Sequence, residues 1–152
     1  MTVRAFVAIG ANLGDARAAV LRAMTDLEAL PETRVVSRSS LYRSAPVDAS
    51  GPDFINAVVA LDTGLAPEPL LGELQRLELG AGRERPYRNA PRTLDLDLLS
   101  HGDAVIATPA LTLPHPRISE RAFVLLPLAE IAPERVTQAQ LRQVAEQRIE
   151  RL

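Results

Sequence analysis

The sequence predicts an α+β fold built on a βαββαβ unit with an antiparallel sheet, and three observations support this. Short β-branched runs alternate with segments of helical periodicity, turn residues separate them, and one segment alternates strictly between leucine and aspartate. A chain of 152 residues is long enough for one hydrophobic core, so a single domain over 1–152 is expected. The hydrophobic content of 47% is ordinary for a globular protein and argues against disorder.

The first half of the unit begins with a buried strand over 3–9, which is apolar and rich in β-branched residues. The run stops at Gly10, Asn12 and Gly14, residues typical of a turn. Asp15 is placed to cap a helix in which apolar residues recur at intervals of three and four up to Pro31. A weaker strand is predicted over 34–43.

The second half repeats this order. A strand is predicted over 54–61, a helix over 67–79 that ends at Gly80, and a strand over 94–99 with a period of two. The resulting order, βαββαβ, is that of the ferredoxin-like split βαβ fold, with the helices on one face of the sheet.

Extra C-terminal strands and helices are expected after this core. Short strands are predicted at 105–106 and 111–113, followed by a turn at 114–116 and an apolar segment over 122–131 that Pro127 interrupts. A final amphipathic helix is predicted over 137–152.

Composition excludes several kinds of chemistry. The chain has no cysteine, which rules out thiol catalysis and thiolate metal sites. All 17 basic residues are arginine, so a phosphate must be bound by arginine, histidine or backbone N–H groups. The formal net charge of −2 argues against general nucleic-acid binding. The apolar run at the N-terminus is too short for a signal peptide or a membrane span, so we expect a cytoplasmic protein without membrane association.

Asp95 and Asp97 are the sharpest chemical signal. Residues two apart on a strand point to the same face, with about 6.6 Å between their α-carbons. Two carboxylates at that spacing can converge on one or two divalent cations, for which carboxylate oxygens are suitable ligands. An amphipathic strand with a solvated face explains the same pattern, and the pattern alone leaves both interpretations open.

An arginine-rich segment precedes this strand. Residues 82–92 contain Arg83, Arg85, Arg88 and Arg92 together with two prolines. Arginines beside a carboxylate pair suit a nucleoside triphosphate, because the carboxylates hold its metal while the guanidinium groups neutralise its phosphates. A hydrated surface loop is the alternative interpretation.

The remaining candidates are ambiguous on their own. His115 lies between two prolines, where a histidine is more often structural than functional, and His101 is interpreted as a loop residue. A solvated helix face explains Gln75 and Glu78 equally well. Phe54 and Phe123 are core residues by default. The segment 10–15 matches no phosphate-binding loop and is interpreted as a turn into the helix.

Four segments together resemble the 6-hydroxymethyl-7,8-dihydropterin pyrophosphokinases of folate biosynthesis. They are GANLG at 10–14, DFINA at 53–57, APRTLDLD at 90–97, and LPHPR at 113–117 followed by ERAFV at 120–124. The resemblance extends from the first strand to about Pro133. Its most specific part is the succession of the last two segments in the right order and at the right separation.

The resemblance implies a reaction and a nucleotide site. Members transfer the pyrophosphoryl group of ATP to the hydroxymethyl oxygen of the pterin and release AMP. Asp95 and Asp97 would hold two Mg²⁺ ions, and the family's catalytic set matches Arg83, Arg92, Asp95 and Asp97. The positions that match ATP-binding residues of the family are Gln75, Glu78, Arg83, Arg85, Arg92, Leu98, Thr112, His115 and Arg121. The arginine-rich segment would act as a lid over the phosphates.

The resemblance also implies a pterin site. Two aromatic rings would sandwich the flat heterocycle, and an amide would bind its polar edge. The matching positions are Ser44, Ala45, Val47, Phe54, Asn56 and Phe123.

Four departures from the family pattern concern the pterin site, the lid and the nucleotide site. Phe54 stands where tyrosine is common, and Ala110 stands where some members have a basic side chain. Asn89 replaces a tryptophan of some members, and the lid is one residue shorter before Arg88, so Arg85 and Arg88 could exchange roles.

The expected partners are two small molecules, ATP and the pterin. A monomer is expected, and contact with neighbouring folate enzymes is possible. Two alternatives are a non-catalytic ferredoxin-like binding module and a degenerate member that binds pterin without turnover. The paired aspartates on the sheet argue against the first alternative. The presence of both aspartates, Arg83, Arg92, His115 and Arg121 argues against the second.

Overall fold

An antiparallel sheet of six strands carries the fold in this computed structural model, which describes residues 1–46, 52–81 and 94–152. The strands are β1 (Val3–Ala11), β2 (Thr33–Arg38), β3 (Tyr42–Ser44), β4 (Phe54–Thr63), β5 (Asp95–His101), a two-stranded pair of β6 (Ile106–Ala107) with β7 (Thr112–Leu113), and β8 (Ile149–Arg151). The helices are α1 (Ala16–Glu28), α2 (Pro67–Gly80), α3 (Ala122–Ile131) and α4 (Gln138–Gln143), with 3₁₀ turns at Ile118–Glu120 and Pro133–Arg135.

The strand order confirms the predicted fold class. The sheet runs β5-β1-β4-β3-β8, and β2 pairs with β4 beside β3. Both neighbours of β1 are antiparallel to it. The chain therefore follows the order βαββαβ, in which the second strand position is divided between β2 and β3.

The alternation of side chains along β1 separates two cores. Ala5, Val7 and Ile9 face α1 and α2 in the larger core, while Phe6 and Ala8 face α3 in the smaller one. Helices therefore cover both faces of the sheet. The prediction of helices on one face holds for α1 and α2 only, because the apolar segment interrupted by Pro127 forms α3 and covers the other face.

The predicted cap of α1 is confirmed. The carboxylate of Asp15 accepts a hydrogen bond of 3.1 Å from the backbone N–H of Ala18. Gly14, just before the cap, has φ of 59°, a left-handed conformation that glycine adopts without steric cost. The turn begins later than predicted, because β1 continues through Gly10 to Ala11 in order to pair with β4 and β5.

The predicted strand over 34–43 is divided in two. Between β2 and β3, Ser39 pairs with the backbone of Val58 through its own N–H and through its hydroxyl, both at 2.9 Å. The serine hydroxyl replaces a backbone partner, so the chain changes register along β4 without leaving a buried N–H group unpaired.

The predicted C-terminal helix over 137–152 is wrong. Thr137 and Gln140 form a capping box at the start of α4, but this helix ends at Gln143. The chain then forms β8, which pairs with β3. An exposed edge of β3 offers unpaired N–H and C=O groups, and pairing with it outweighs a weak helical periodicity. In the part of the chain that the structure describes, no helix is long and apolar enough to cross a membrane.

Candidate active site

Three neighbouring strands bring polar side chains together at one end of the α3 face. Gly10 pairs with Asn56 on one side and with Asp95 on the other. A cavity of about 350 Å³ lies over them. Its lining consists of Ala8, Ile9, Gly10, Ser44, Ala45, Phe54, Asn56, Asp95, Asp97, Arg117, Glu120, Arg121 and Phe123.

Asp95 and Asp97 both face this cavity, as the period of two predicts. They are partly buried and lie opposite Gly10 and Ala8 of β1, while the leucines at 94, 96 and 98 fill the larger core. The small residues on β1 leave open space in front of the two carboxylates. The strand is therefore held by its apolar face and offers its acidic face to a ligand.

Glu78 supports the strand between the two aspartates. Its side chain is 5% exposed, and its carboxylate accepts a hydrogen bond of 2.9 Å from the backbone N–H of Leu96. The interpretation of a solvated helix face is therefore wrong for Glu78. Gln75, one turn earlier on α2, is exposed, as that interpretation expects.

The opposite wall of the cavity is aromatic and amide-lined. Phe54 and Phe123 are partly buried and line the cavity, so neither is an ordinary core residue. Asn56 is 4% exposed, and its Oδ1 accepts a hydrogen bond of 2.5 Å from the hydroxyl of Ser44. With Oδ1 engaged in this way, the amide has two hydrogens on Nδ2 to donate. This wall suits a flat heterocycle with polar edges.

Gly10 contributes space to the site. A Cβ atom on this residue would lie 3.2 Å from Nδ2 of Asn56 and 3.9 Å from Cδ1 of Phe54. A side chain there would therefore displace the amide that faces the cavity. The sequence predicts a turn at Gly10, and this role becomes visible only in the pairing of β1 with β4.

The rim of the cavity carries Arg117, Glu120 and Arg121. The guanidinium carbon of Arg121 lies 5.4 Å from the centre of the Phe123 ring, a cation–π contact that joins the basic and aromatic parts of the site. Arg117 and Glu120 are not among the site residues that the sequence predicts. Their positions in the segment 113–124, which carries the resemblance to the family, could have indicated that they line the site.

A second cavity, of about 270 Å³, adjoins the first at Asp97. Three of the predicted nucleotide residues, Leu98, Thr112 and His115, line it together. Leu71 and Ala110 also line it. Because Asp97 lines both cavities, a ligand in one can meet a ligand in the other beside this carboxylate.

His115 is oriented by the backbone. Its Nδ1 accepts a hydrogen bond of 3.2 Å from the N–H of Arg117, so the proton of a neutral ring lies on Nε2. Burial lowers the pKa of His115 below its usual range; Asp97 opposes this shift, and Arg121 and Arg117 add to it. A neutral ring that donates from Nε2 can bind a phosphate oxygen.

Comparison with known proteins identifies the family. A family model described as 7,8-dihydro-6-hydroxymethylpterin-pyrophosphokinase matches residues 6–133. The chain belongs to this family. A 2-amino-4-hydroxy-6-hydroxymethyldihydropteridine pyrophosphokinase of Pseudomonas aeruginosa is 49% identical over 135 residues, which cover 88% of this chain and 83% of that protein. A protein of the same name from Methylorubrum extorquens is 45% identical over 134 residues, which cover 88% and 85%.

Solved structures of the same family agree in fold. The wild-type HPPK-DHPS of Plasmodium falciparum, crystallised with pterin and p-hydroxybenzoate, matches with a TM-score of 0.69 at 15% identity. A triple mutant of that protein matches with a TM-score of 0.70 at 14% identity. Each match covers 88% of this chain but only 40% of the Plasmodium chain. The similarity at this identity concerns the fold alone.

Among the remaining candidate residues of this pyrophosphokinase, the one that the structure describes, His101, lines neither cavity. His101 is not a loop residue: it ends β5, is 7% exposed, and its Nε2 lies 2.8 Å from the carbonyl oxygen of Leu65, so it joins β5 to the start of α2. Some predicted positions lie outside the described residues, namely Val47, Arg83, Arg85, Arg88, Asn89 and Arg92.

Proposed function

We propose that the two adjoining cavities form the active site for pyrophosphoryl transfer in this chain. Membership of the family makes the chain a pyrophosphokinase of folate biosynthesis, which acts on small molecules with ATP as co-substrate and hydroxymethyldihydropterin as acceptor. The observation that supports this site best is that one cavity is lined both by Phe54, Asn56 and Phe123 and by Asp95 and Asp97. A pterin bound at the aromatic wall would have its substituent near the acidic strand.

The pterin would lie between the rings of Phe54 and Phe123. Stacking on aromatic faces favours a flat bicycle, and Asn56 would donate from Nδ2 to an acceptor on its edge. Ser44 fixes the amide through the 2.5 Å hydrogen bond, so this donor is oriented before the pterin binds. The backbone at Ala45, and Val47 by resemblance, would complete this edge.

Asp95 and Asp97 would hold two Mg²⁺ ions. Mg²⁺ in phosphoryl-transfer sites is usually bound by one or two carboxylates together with substrate phosphates and water, and this strand presents two carboxylates to a cavity with room for phosphates. The donor set therefore fits the metal. Bound Mg²⁺ would neutralise phosphate charge and orient the reacting oxygens.

ATP would occupy the second cavity and reach the first beside Asp97. Leu98 and Thr112 would contact the nucleotide, and His115 and Arg121 would bind phosphate oxygens. By resemblance, Gln75 and Glu78 belong to the nucleotide side, although the described contact of Glu78 is to the backbone of β5. Arg83, Arg85 and Arg92 would bind phosphates, with Arg83 and Arg92 acting in catalysis.

The reaction would be a direct displacement. The hydroxymethyl oxygen of the pterin bonds to the β-phosphorus of ATP, the bond from that phosphorus to the α,β-bridging oxygen breaks, and AMP leaves while the hydroxyl proton is released. Arg121 and Arg117 on the rim stabilise the negative charge that builds up on the phosphate oxygens. The protein acts mainly by positioning the two substrates.

The remaining expectations also enter the proposal. We expect one domain over 1–152 that acts as a monomer in the cytoplasm. The proposal includes contact with the neighbouring enzymes of folate synthesis. The solved Plasmodium falciparum structures are of an HPPK-DHPS protein, of whose chain the match covers 40%.

Product analysis tests the proposed site. The protein is mixed with ATP, Mg²⁺ and 6-hydroxymethyl-7,8-dihydropterin, beside an Asp97→Asn variant and an Asp103→Asn control that changes an exposed aspartate just after β5. We expect AMP and the pterin diphosphate in equal amounts from the wild type and the control, and neither from Asp97→Asn. Formation of ADP, or full activity in Asp97→Asn, would contradict the proposal.

A further inference from the structure

Gln147 bridges the backbone on both sides of Arg121. Its Nε2 donates a hydrogen bond of 2.8 Å to the carbonyl oxygen of Glu120, and its Oε1 accepts one of 2.9 Å from the N–H of Ala122. We infer that Gln147 is a positioning residue that holds Arg121 and Phe123 in their places in the active site. It follows the residues 6–133 that the family model matches.

The conformation of Arg121 explains why one amide can make both contacts. Arg121 is extended, with φ of −125° and ψ of 110°. In extended backbone, the C=O of the preceding residue and the N–H of the following residue point to the same side. The side-chain amide of Gln147 therefore pairs with this segment as a neighbouring strand would, and it fixes the direction in which the Arg121 side chain leaves the backbone.

The same contact fixes the start of α3. The N-cap residue of this helix is Arg121, whose side chain makes no capping hydrogen bond. The N–H of Ala122 is one of the first N–H groups of the helix, which have no partner within it, and Gln147 supplies the acceptor. Phe123 is the next residue, so the position of its ring depends on this first turn.

The Phe123 ring packs against the smaller core but is only partly buried. A cavity of about 200 Å³ lies beside it, lined by Ser44, Ala45, Pro46, Ala122, Phe123, Gln147, Arg148 and Ile149. The ring thus borders both this space and the main cavity. Hydrogen bonds to the adjacent backbone therefore matter more for the position of the ring than they would in a filled core.

Gln147 is itself anchored to the wall that carries Asn56. The carbonyl oxygen of Arg148 accepts a hydrogen bond of 3.3 Å from the N–H of Ala45, and Ile149 pairs with Ser44. Ser44 in turn donates to Asn56. Residues 147–149 thus tie the amide side of the site to the side that carries Arg121 and Phe123.

The inference rests on the proposed function and predicts an effect on two ligands at once. The test variant is Gln147→Met, which keeps the side-chain length and removes both hydrogen bonds. Gln143→Met is the matched control, because Gln143 is an exposed glutamine on the same C-terminal segment. Dissociation constants are measured by calorimetry for 6-hydroxymethyl-7,8-dihydropterin and for Mg²⁺ with α,β-methylene-ATP, well below the melting temperature of each variant.

We expect Gln147→Met to weaken the binding of both probes by about fivefold to thirtyfold, because two hydrogen bonds that position the site are lost. The control should match the wild type. A double-mutant cycle with Arg121→Ala should show that the losses in nucleotide affinity do not add, since Gln147 acts through Arg121. A purely structural residue would lower the melting temperature and leave both dissociation constants unchanged.

Two other results of the binding measurements would overturn the inference. Unchanged affinities in Gln147→Met, beside a wild type that binds both probes, would overturn this inference and leave the proposed function intact. A wild type that binds neither probe would overturn both. If Gln147→Met does not fold, Gln147→Glu takes its place. It keeps the acceptor for Ala122 and loses the donor to Glu120, so both ligands should again bind more weakly than in the wild type, by a smaller factor because one hydrogen bond remains.

Discussion

The hydroxyl of Ser44 donates a hydrogen bond of 2.5 Å to Oδ1 of Asn56, across the pair formed by β3 and β4. Both side chains are buried, so the bond is shielded from water and sets which end of the amide faces the cavity. A donor prepared in this way can bind an acceptor on the pterin without first being reoriented.

Removing this hydroxyl should weaken pterin binding. In Ser44→Ala the buried Oδ1 of Asn56 loses its donor, which costs about 1–3 kcal/mol of stability and frees the amide to rotate. We expect the dissociation constant of the dihydropterin to rise about tenfold. Calorimetric titration measures this, with Ser37→Ala on β2 as the control. Equal affinities in wild type and Ser44→Ala would show that the orientation of the amide does not matter.

Filling the space above Gly10 should also weaken pterin binding, because a side chain there would displace the amide of Asn56. The Cβ atom of Gly10→Ala would lie 3.2 Å from Nδ2 of Asn56, so the amide must move. We expect pterin affinity to fall by at least about fivefold. Gly72→Ala is the control, because a Cβ at Gly72 meets nothing within 4 Å. It lies inside α2, where alanine should add about 0.5–1 kcal/mol of stability without changing pterin affinity. Pterin affinity unchanged in Gly10→Ala would refute the steric argument.

The support that Glu78 gives to β5 should be visible in the turnover rate. Glu78→Leu leaves the buried N–H of Leu96 without its acceptor, at a cost of about 1–3 kcal/mol, and loosens the strand between Asp95 and Asp97. We expect kcat to fall, while Glu78→Gln keeps an acceptor oxygen and most of the activity. Steady-state kinetics test this beside Glu73→Leu, which removes an exposed ion pair of small energetic value on the same helix. Equal loss in Glu78→Gln and Glu78→Leu would indicate that the charge of Glu78, rather than its hydrogen bond, is required.

The carboxylate of Glu130 should make the stability of the fold decrease as the pH falls into the acid range. Burial raises the pKa of Glu130, but hydrogen bonds from Tyr42 and Ser40 and the charge of Arg151 outweigh it, and the net shift is downward. A carboxyl with a lowered folded pKa stabilises the fold above its unfolded pKa. That contribution is lost as the pH falls from the unfolded pKa, about 4.3 for a glutamate, through the lower folded pKa.

The corresponding experiment follows the melting temperature from pH 7 to pH 3. Glu130→Gln should melt about 2–4 °C lower than the wild type at pH 7, and the difference should shrink at pH 3. Glu134→Gln changes an exposed carboxylate nearby and should follow the wild-type curve. A constant difference across this range would mean that the charge of Glu130 does not stabilise the fold.

The hydrogen bond between Tyr42 and Glu130 should also make the stability of the fold fall at alkaline pH. Burial and the hydrogen bond to Glu130 raise the pKa of Tyr42 to about 12. The stabilisation is therefore complete below the unfolded pKa near 10 and is lost as the pH rises toward 12. Spectrophotometric titration of the wild type against Tyr42→Phe should show one tyrosine that ionises late. Ionisation of both tyrosines near pH 10 would contradict the prediction.

Local pattern was sufficient for much of the core and for the acidic strand. The period of two placed Asp95 and Asp97 on one face, and capping chemistry placed the start of α1 at Asp15, because both depend on residues close in sequence. Local pattern gave wrong predictions where contacts with a segment distant in the chain decide the secondary structure. The stretch over 34–43 breaks at Ser39 because of its contacts with Val58, and the C-terminal stretch leaves its helical periodicity to pair with β3.

Residue patterns alone were enough to predict the fold class, the strand that carries the aspartates and, through four short segments, the family. Which of these residues meet depends on how the strands pair. Gly10 provides space because β1 lies between β4 and β5, and Gln147 reaches the backbone on both sides of Arg121 because β8 pairs with β3. The physical reason is the distance along the chain over which each effect acts. Capping and periodicity act within a few residues, whereas a binding cavity is enclosed by contacts between segments distant in the chain.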